Sequence, residues 1–125
     1  MYTTLIDPVT LMSYMHDPYW VVLDARFDLT APAKGEALYR EGHIPGARYV
    51  SLDADLSGPK IGTTGRHPLP DPSTAAATFA RLGIGDDTQV VVYDADAGSF
   101  AARVWWMLRW LGHPQVTVLD GGLAA

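Results

Sequence analysis

The sequence predicts one α/β domain in three layers, a central mostly parallel sheet with helices on both faces. Three features point there. The chain has 125 residues, enough for one hydrophobic core that removes roughly two-thirds of the unfolded surface from water. Short apolar runs, Trp20-Val21-Val22-Leu23, Gln89-Val90-Val91-Val92-Tyr93 and Val116 to Leu119, have the composition of strands buried on both faces. Segments of helical periodicity lie between them, and such alternation implies parallel pairing through right-handed crossovers.

In chain order, Asp7 is placed to cap a helix with Pro8 in its first turn and Val9, Met12 and Met15 on one face, stopped by Pro18. Trp20 to Leu23 is the first strand, closed by Asp24. Residues 25–72 are rich in proline and glycine and show little periodicity beyond a short strand around Arg48-Tyr49-Val50. An irregular region of that length is often functional. Ser73 to Leu82 reads as a helix capped by Ser73 and closed by Gly83. Gln89 to Tyr93 is the best strand. Ser99 to Leu111 is the strongest helix, with Val104, Met107, Leu108 and Leu111 on one stripe and Gly112-His113-Pro114 as its stop. Val116 to Leu119 follows as the last strand.

Hydrophobic residues make up 48% and charged residues 18% of the chain, a globular composition rather than a disordered one. The formal charge of −5 leaves no basic face for phosphates, so neither nucleic acid nor an anionic membrane is an expected partner. There is no cysteine, which excludes disulfides, thiolate–metal sites and sulfur nucleophiles within the chain. Met1 to Asp7 lacks a basic stretch followed by an apolar one, and no segment approaches the roughly 18 apolar residues of a membrane span. A cytoplasmic domain without metal or cofactor is expected.

Ligands of open α/β sheets collect beyond the carboxyl ends of the strands. The prime candidate is therefore the loop between the best strand and the best helix, Asp94-Ala95-Asp96-Ala97-Gly98-Ser99. A short glycine-containing loop around a helix N-terminus turns backbone N–H groups inward, where they stabilise an anion or a thiolate.

Four stretches together carry a resemblance: Leu23-Asp24-Ala25-Arg26, Gly42-His43-Ile44-Pro45-Gly46-Ala47, the strand and helix start Val90-Val91-Val92-Tyr93-Asp94 through Ala101-Ala102-Arg103, and Leu119-Asp120-Gly121-Gly122-Leu123. In this order and spacing they resemble the rhodanese family over nearly the whole chain. The cluster from Val104 to His113, with Trp105, Trp106 and Trp110, is similar to the first, cysteine-less domains of two-domain thiosulfate and 3-mercaptopyruvate sulfurtransferases. The resemblance implies a rhodanese-like fold, with Asp94 at the position of the family's catalytic cysteine and no catalytic residue in this chain. It implies a second rhodanese domain as partner, whose cysteine takes up sulfane sulfur as a persulfide and passes it to cyanide or another thiol. It also implies that Asp53 and His67 support that partner's active site. Inward N–H groups would lower the pKa of Asp94 and quench it as a nucleophile, so Asp94 is expected to be structural. The ending at Leu119 to Ala125, where relatives continue, leads to the expectation of a single domain truncated at its C-terminal end and followed by the catalytic one.

Two other functions compete. A rhodanese-like fold with a dead loop can act as a binding module or anion sensor. Alternatively, Val90 to Asp96 resembles the strand and Asp-x-Asp opening of haloacid-dehalogenase-type phosphatases, although Gly98 stands where threonine or valine is expected and no lysine follows Asp96. Three further features are read as structural: His43 as a loop histidine bound to backbone, the tryptophans as core or interface anchors, and Asp24 with Arg26 as an ion pair at a strand end.

Overall fold

The computed structural model describes residues 2–27, 34–52, 55–57, 69–95, 99–120 and 122. The elements are β1 (Leu5–Ile6), α1 (Pro8–Tyr14), β2 (Trp20–Asp24), α2 (Lys34–Glu41), β3 (Arg48–Tyr49), α3 (Pro72–Arg81), β4 (Gln89–Tyr93), α4 (Ser99–Trp110) and β5 (Val116–Leu119). The strands form one parallel sheet in the order β1-β5-β4-β2-β3. β4 is central, and all five of its residues are buried. This is why it reads as an unbroken apolar run rather than an alternating one.

Alternation along β4 divides the core into two. Val90 and Val92 face a layer built from Ala75 and Phe79 of α3 and Ala101, Val104, Met107 and Leu108 of α4. Val91 and Tyr93 face the other way, toward Leu11 of α1 and Ala47. The expected sheet with helices on both faces is thus found, with every described strand parallel.

Details of the sequence reading shift. α3 starts one residue earlier than expected, at Pro72, and its cap is Asp71, whose carboxylate accepts from Ser73 N at 3.2 Å and also takes the Ser73 hydroxyl. A proline at the first helical position needs no N–H partner, so the cap falls before it. In α1 Asp7 caps as expected, Oδ1 accepting from Thr10 N at 2.7 Å. The inward residue there is Leu11, while Val9 and Met12 are exposed. α4 ends at Trp110, where Gly112 takes a φ of +89° and His113 N closes back on Leu108 O at 2.8 Å, the left-handed stop that glycine permits. Two elements were not foreseen, the two-residue β1 and helix α2.

α2 holds Gly35 where nothing larger fits. A Cβ there would lie 2.1 Å from Arg26 O and 2.6 Å from the Tyr49 hydroxyl. Tyr39 on the same helix donates to Ala47 O at 2.5 Å, fastening α2 to the segment that leads into β3.

Candidate functional site

The parallel sheet brings the ends of β2, β3 and β4 together, with Asp24 in register with both Tyr93 and Tyr49. Asp24 is fully buried and Arg26 nearly so. The Asp24 carboxylate accepts from Arg26 N at 3.0 Å, from Arg26 Nε at 3.0 and 3.1 Å, from Arg26 Nη2 at 2.6 Å and from the Tyr93 hydroxyl at 3.0 Å. The hydrogen bond with Asp24 raises the Arg26 pKa further despite burial, and burial pushes the Tyr93 phenol well up. Asp24 and Arg26 thus pair directly in the buried site, an arrangement that makes burial tolerable.

The same groups fix the Gly42-His43-Ile44-Pro45-Gly46-Ala47 segment. Arg26 Nη2 donates to Gly42 O at 2.6 Å, and Ile44 N donates to the Tyr93 hydroxyl at 3.2 Å. Ala47 N then reaches Ile44 O at 2.9 Å over Gly46, whose φ is +80°. His43 Nδ1 lies 2.7 Å from Tyr39 O, and its ring stacks on Tyr39 at 3.9 Å. His43 thus packs on α2, in line with its structural reading. Tyr93 was the residue that sequence reasoning overlooked. A tyrosine closing a run of three valines was the available signal, since a buried phenol needs a hydrogen-bond partner.

Asp94 begins the predicted site loop. It is 3% exposed, and its Oδ2 accepts from Phe100 N and Ala101 N, both at 3.1 Å. The carboxylate therefore occupies the anion position at the start of α4, capping N–H groups that have no partner inside the helix. It presents almost nothing to solvent. Ala95 is exposed; Asp96, Ala97 and Gly98 lie outside the described residues, as do Asp53 and His67. Ser99 opens α4.

The tryptophans of α4 differ in their surroundings. Trp105 Nε1 donates to Thr3 O at 2.7 Å, with the Arg109 guanidinium 4.9 Å from its ring. Trp106 and Trp110 stack on each other at 5.8 Å and are partly exposed. A cleft of about 560 Å³ lined by Tyr2, Tyr14, Tyr19, Trp20, Asp87, Gln89 and Gln115 opens at the opposite end of the strands. Its Trp20 face is already taken by Tyr14, stacked at 4.5 Å. Among the described residues no group of three or more histidine or acidic side chains could hold a metal ion, and no helix is long and apolar enough to cross a membrane.

Comparison with known proteins agrees with this fold. The family described as Rhodanese-like domain matches residues 7–125. A probable 3-mercaptopyruvate sulfurtransferase of Pseudomonas aeruginosa is 49% identical over 123 residues, covering 97% of this chain and 43% of that protein. A putative thiosulfate sulfurtransferase, SseB, of Mycobacterium tuberculosis is 47% identical over 104 residues, 83% of this chain and 36% of its own. Among solved structures, the 3-mercaptopyruvate sulfurtransferase from Leishmania major superposes with a TM-score of 0.86 at 28% identity, over 98% of this chain and 33% of that one. SseA from Escherichia coli superposes at 0.80 with 35% identity, over 98% and 46%. The chain spans less than half the length of each of these proteins.

Proposed function

This chain belongs to the rhodanese-like domain family, and from that premise we propose that it is the non-catalytic domain of a thiosulfate or 3-mercaptopyruvate sulfurtransferase. In this reading a cysteine of a partner rhodanese domain accepts sulfane sulfur from the donor and passes it to a thiol or cyanide. This chain supports that site through Asp53 and His67.

The observation that carries the reading is Asp94. Where the family resemblance places the nucleophile, a buried carboxylate caps α4. Carboxylate oxygens cannot form a persulfide, and the chain contains no cysteine. The same geometry disfavours the two rivals. An anion sensor needs free N–H groups at the helix start, yet Asp94 already takes those of Phe100 and Ala101. A phosphatase nucleophile must face its substrate, which a side chain this buried does not.

The test is thiosulfate:cyanide and mercaptopyruvate:cyanide sulfur transfer by this chain, alone and mixed with a separately produced cysteine-bearing rhodanese domain. Activity gained only in the mixture, and reduced by Asp53→Asn and His67→Ala, is the expected outcome. A mixture no faster than the cysteine-bearing domain by itself counts against the reading.

A further inference from the structure

We propose that the cleft at the amino ends of the strands is a binding site for an organic cation bearing a quaternary ammonium group. It lies at the opposite end of the sheet from Asp94, so the proposal stands apart from the function proposed above. The cleft measures about 560 Å³, and its walls carry the rings of Tyr2, Tyr14, Tyr19 and Trp20 together with the carboxylate of Asp87. Ring faces hold the negative part of the aromatic quadrupole and attract a cation placed over them.

The walls are built before any ligand arrives. Tyr14 stacks on Trp20 at 4.5 Å, and Tyr2 meets Trp20 edge-on at 5.7 Å. The buried Gln89 amide anchors Tyr2, its Oε1 accepting from Tyr2 N at 2.9 Å and its Nε2 donating to Tyr2 O at 2.8 Å. Asp17 fixes the turn that presents Tyr19 and Trp20: its Oδ1 accepts from Tyr19 N at 2.8 Å and its backbone O from Trp20 N at 3.0 Å. Asp87 sits in a turn closed by Thr88 N on Gly85 O at 3.1 Å. A site held in this way loses little freedom on binding.

Charge selects the sign of the ligand. None of the residues lining the cleft is lysine or arginine, and Arg109, the cation nearest to Gln115 in sequence, is engaged over the Trp105 ring at 4.9 Å. Among the described residues the Asp87 carboxylate has neither a hydrogen-bond nor an ion-pair partner. An anion would therefore meet repulsion. A primary ammonium brings several donors that each need an acceptor. A quaternary ammonium brings none, and needs only ring surface and a compensating charge. Tyr14 and Tyr19 are 40% and 66% exposed, so ring surface stays open although Tyr14 covers Trp20.

The test titrates the 125-residue chain with choline and with its neutral isostere 3,3-dimethyl-1-butanol at constant ionic strength, following the indole N–H signals by NMR. Choline is expected to shift the Trp20 signal saturably and to bind about tenfold or more tightly than the isostere, the difference being the charge seen by the rings and Asp87. Asp87→Asn and Tyr19→Ala, both at exposed positions, are each expected to weaken choline about threefold or more. A peptide carrying trimethyllysine, titrated in the same way, tells a modified side chain from a small molecule as the source of the group by which of the two binds more tightly. Equal affinity for choline and its isostere, no saturable shift at Trp20, or shifts confined to Trp106 and Trp110 overturns the proposal. The comparison of the two ligands uses the unaltered chain, so a variant that fails to fold leaves it decisive.

Discussion

Arg26 Nη2 lies 2.6 Å from Asp24 Oδ2 in a site where both side chains are almost wholly buried. The same nitrogen reaches Gly42 O at 2.6 Å. One guanidinium thus joins the end of β2 to the segment entering β3, and Tyr93 joins both to β4. Asp24, Arg26, Gly42 and Tyr93 all belong to stretches that carry the family resemblance, and the geometry gives them a common physical task, closing the carboxyl edge of the sheet.

Removing one partner of this pair leaves an uncompensated buried charge. Arg26→Met is expected to lower the unfolding free energy by about 3–5 kcal/mol. Arg26→Lys recovers only part of it, since an ammonium lacks the planar fork that meets both carboxylate oxygens and Gly42 O. Urea denaturation followed by tryptophan fluorescence reads both values, and a loss comparable to that of a surface pair, below about 1 kcal/mol, contradicts the assignment.

Gly35 offers a steric test of the α2 packing. Gly35→Ala places a methyl group 2.1 Å from Arg26 O, so α2 has to move off the sheet edge. A destabilisation of about 1–3 kcal/mol is expected, as for overpacked cores, although alanine has the better helix propensity. A more stable variant in thermal unfolding shows that α2 does not pack there.

Alkaline titration probes Tyr49. Burial raises its pKa to about 12, above the ordinary tyrosine value of about 10. A folded-state pKa above the unfolded one means that the stabilisation is complete below about pH 10 and is lost as pH rises through the folded value. Stability is therefore expected to fall between pH 10 and 12, with tyrosinate absorbance rising late, and Tyr49→Phe removes part of that late amplitude. An unchanged absorbance curve in Tyr49→Phe contradicts the burial argument.

Asp94 is expected to behave as a cap. Asp94→Ala strands the N–H groups of Phe100 and Ala101 and costs about 1–3 kcal/mol, while Asp94→Asn keeps an acceptor and costs less. Equal stability of Asp94→Ala and the parent chain, in the same denaturation experiment, removes the structural role.

Much of this was readable from the residues. β2, β4 and β5 are apolar runs because each is covered on both faces, and Val104, Met107 and Leu108 mark the inward stripe of α4. β1 escaped notice because two residues, Leu5 and Ile6, show no period. α2 escaped because it begins Lys-Gly-Glu and carries a glycine in its first turn, although Glu36 and Arg40, paired at 2.6 Å four residues apart, were a helix signal. Gly35 is there for close approach, a tertiary demand that local propensity does not express. In the site, the loop after β4 was found because strand and helix flank it. The contact of the Tyr93 hydroxyl with Asp24 was invisible because it joins residues 69 positions apart in sequence.

The central claim, that Asp94 replaces a nucleophile and leaves this chain unable to carry sulfur, is tested most directly by intact-mass spectrometry after incubation with thiosulfate or 3-mercaptopyruvate. The account predicts an unchanged mass and no cyanide-dependent thiocyanate from the chain alone. A covalent sulfur adduct that cyanide removes contradicts it.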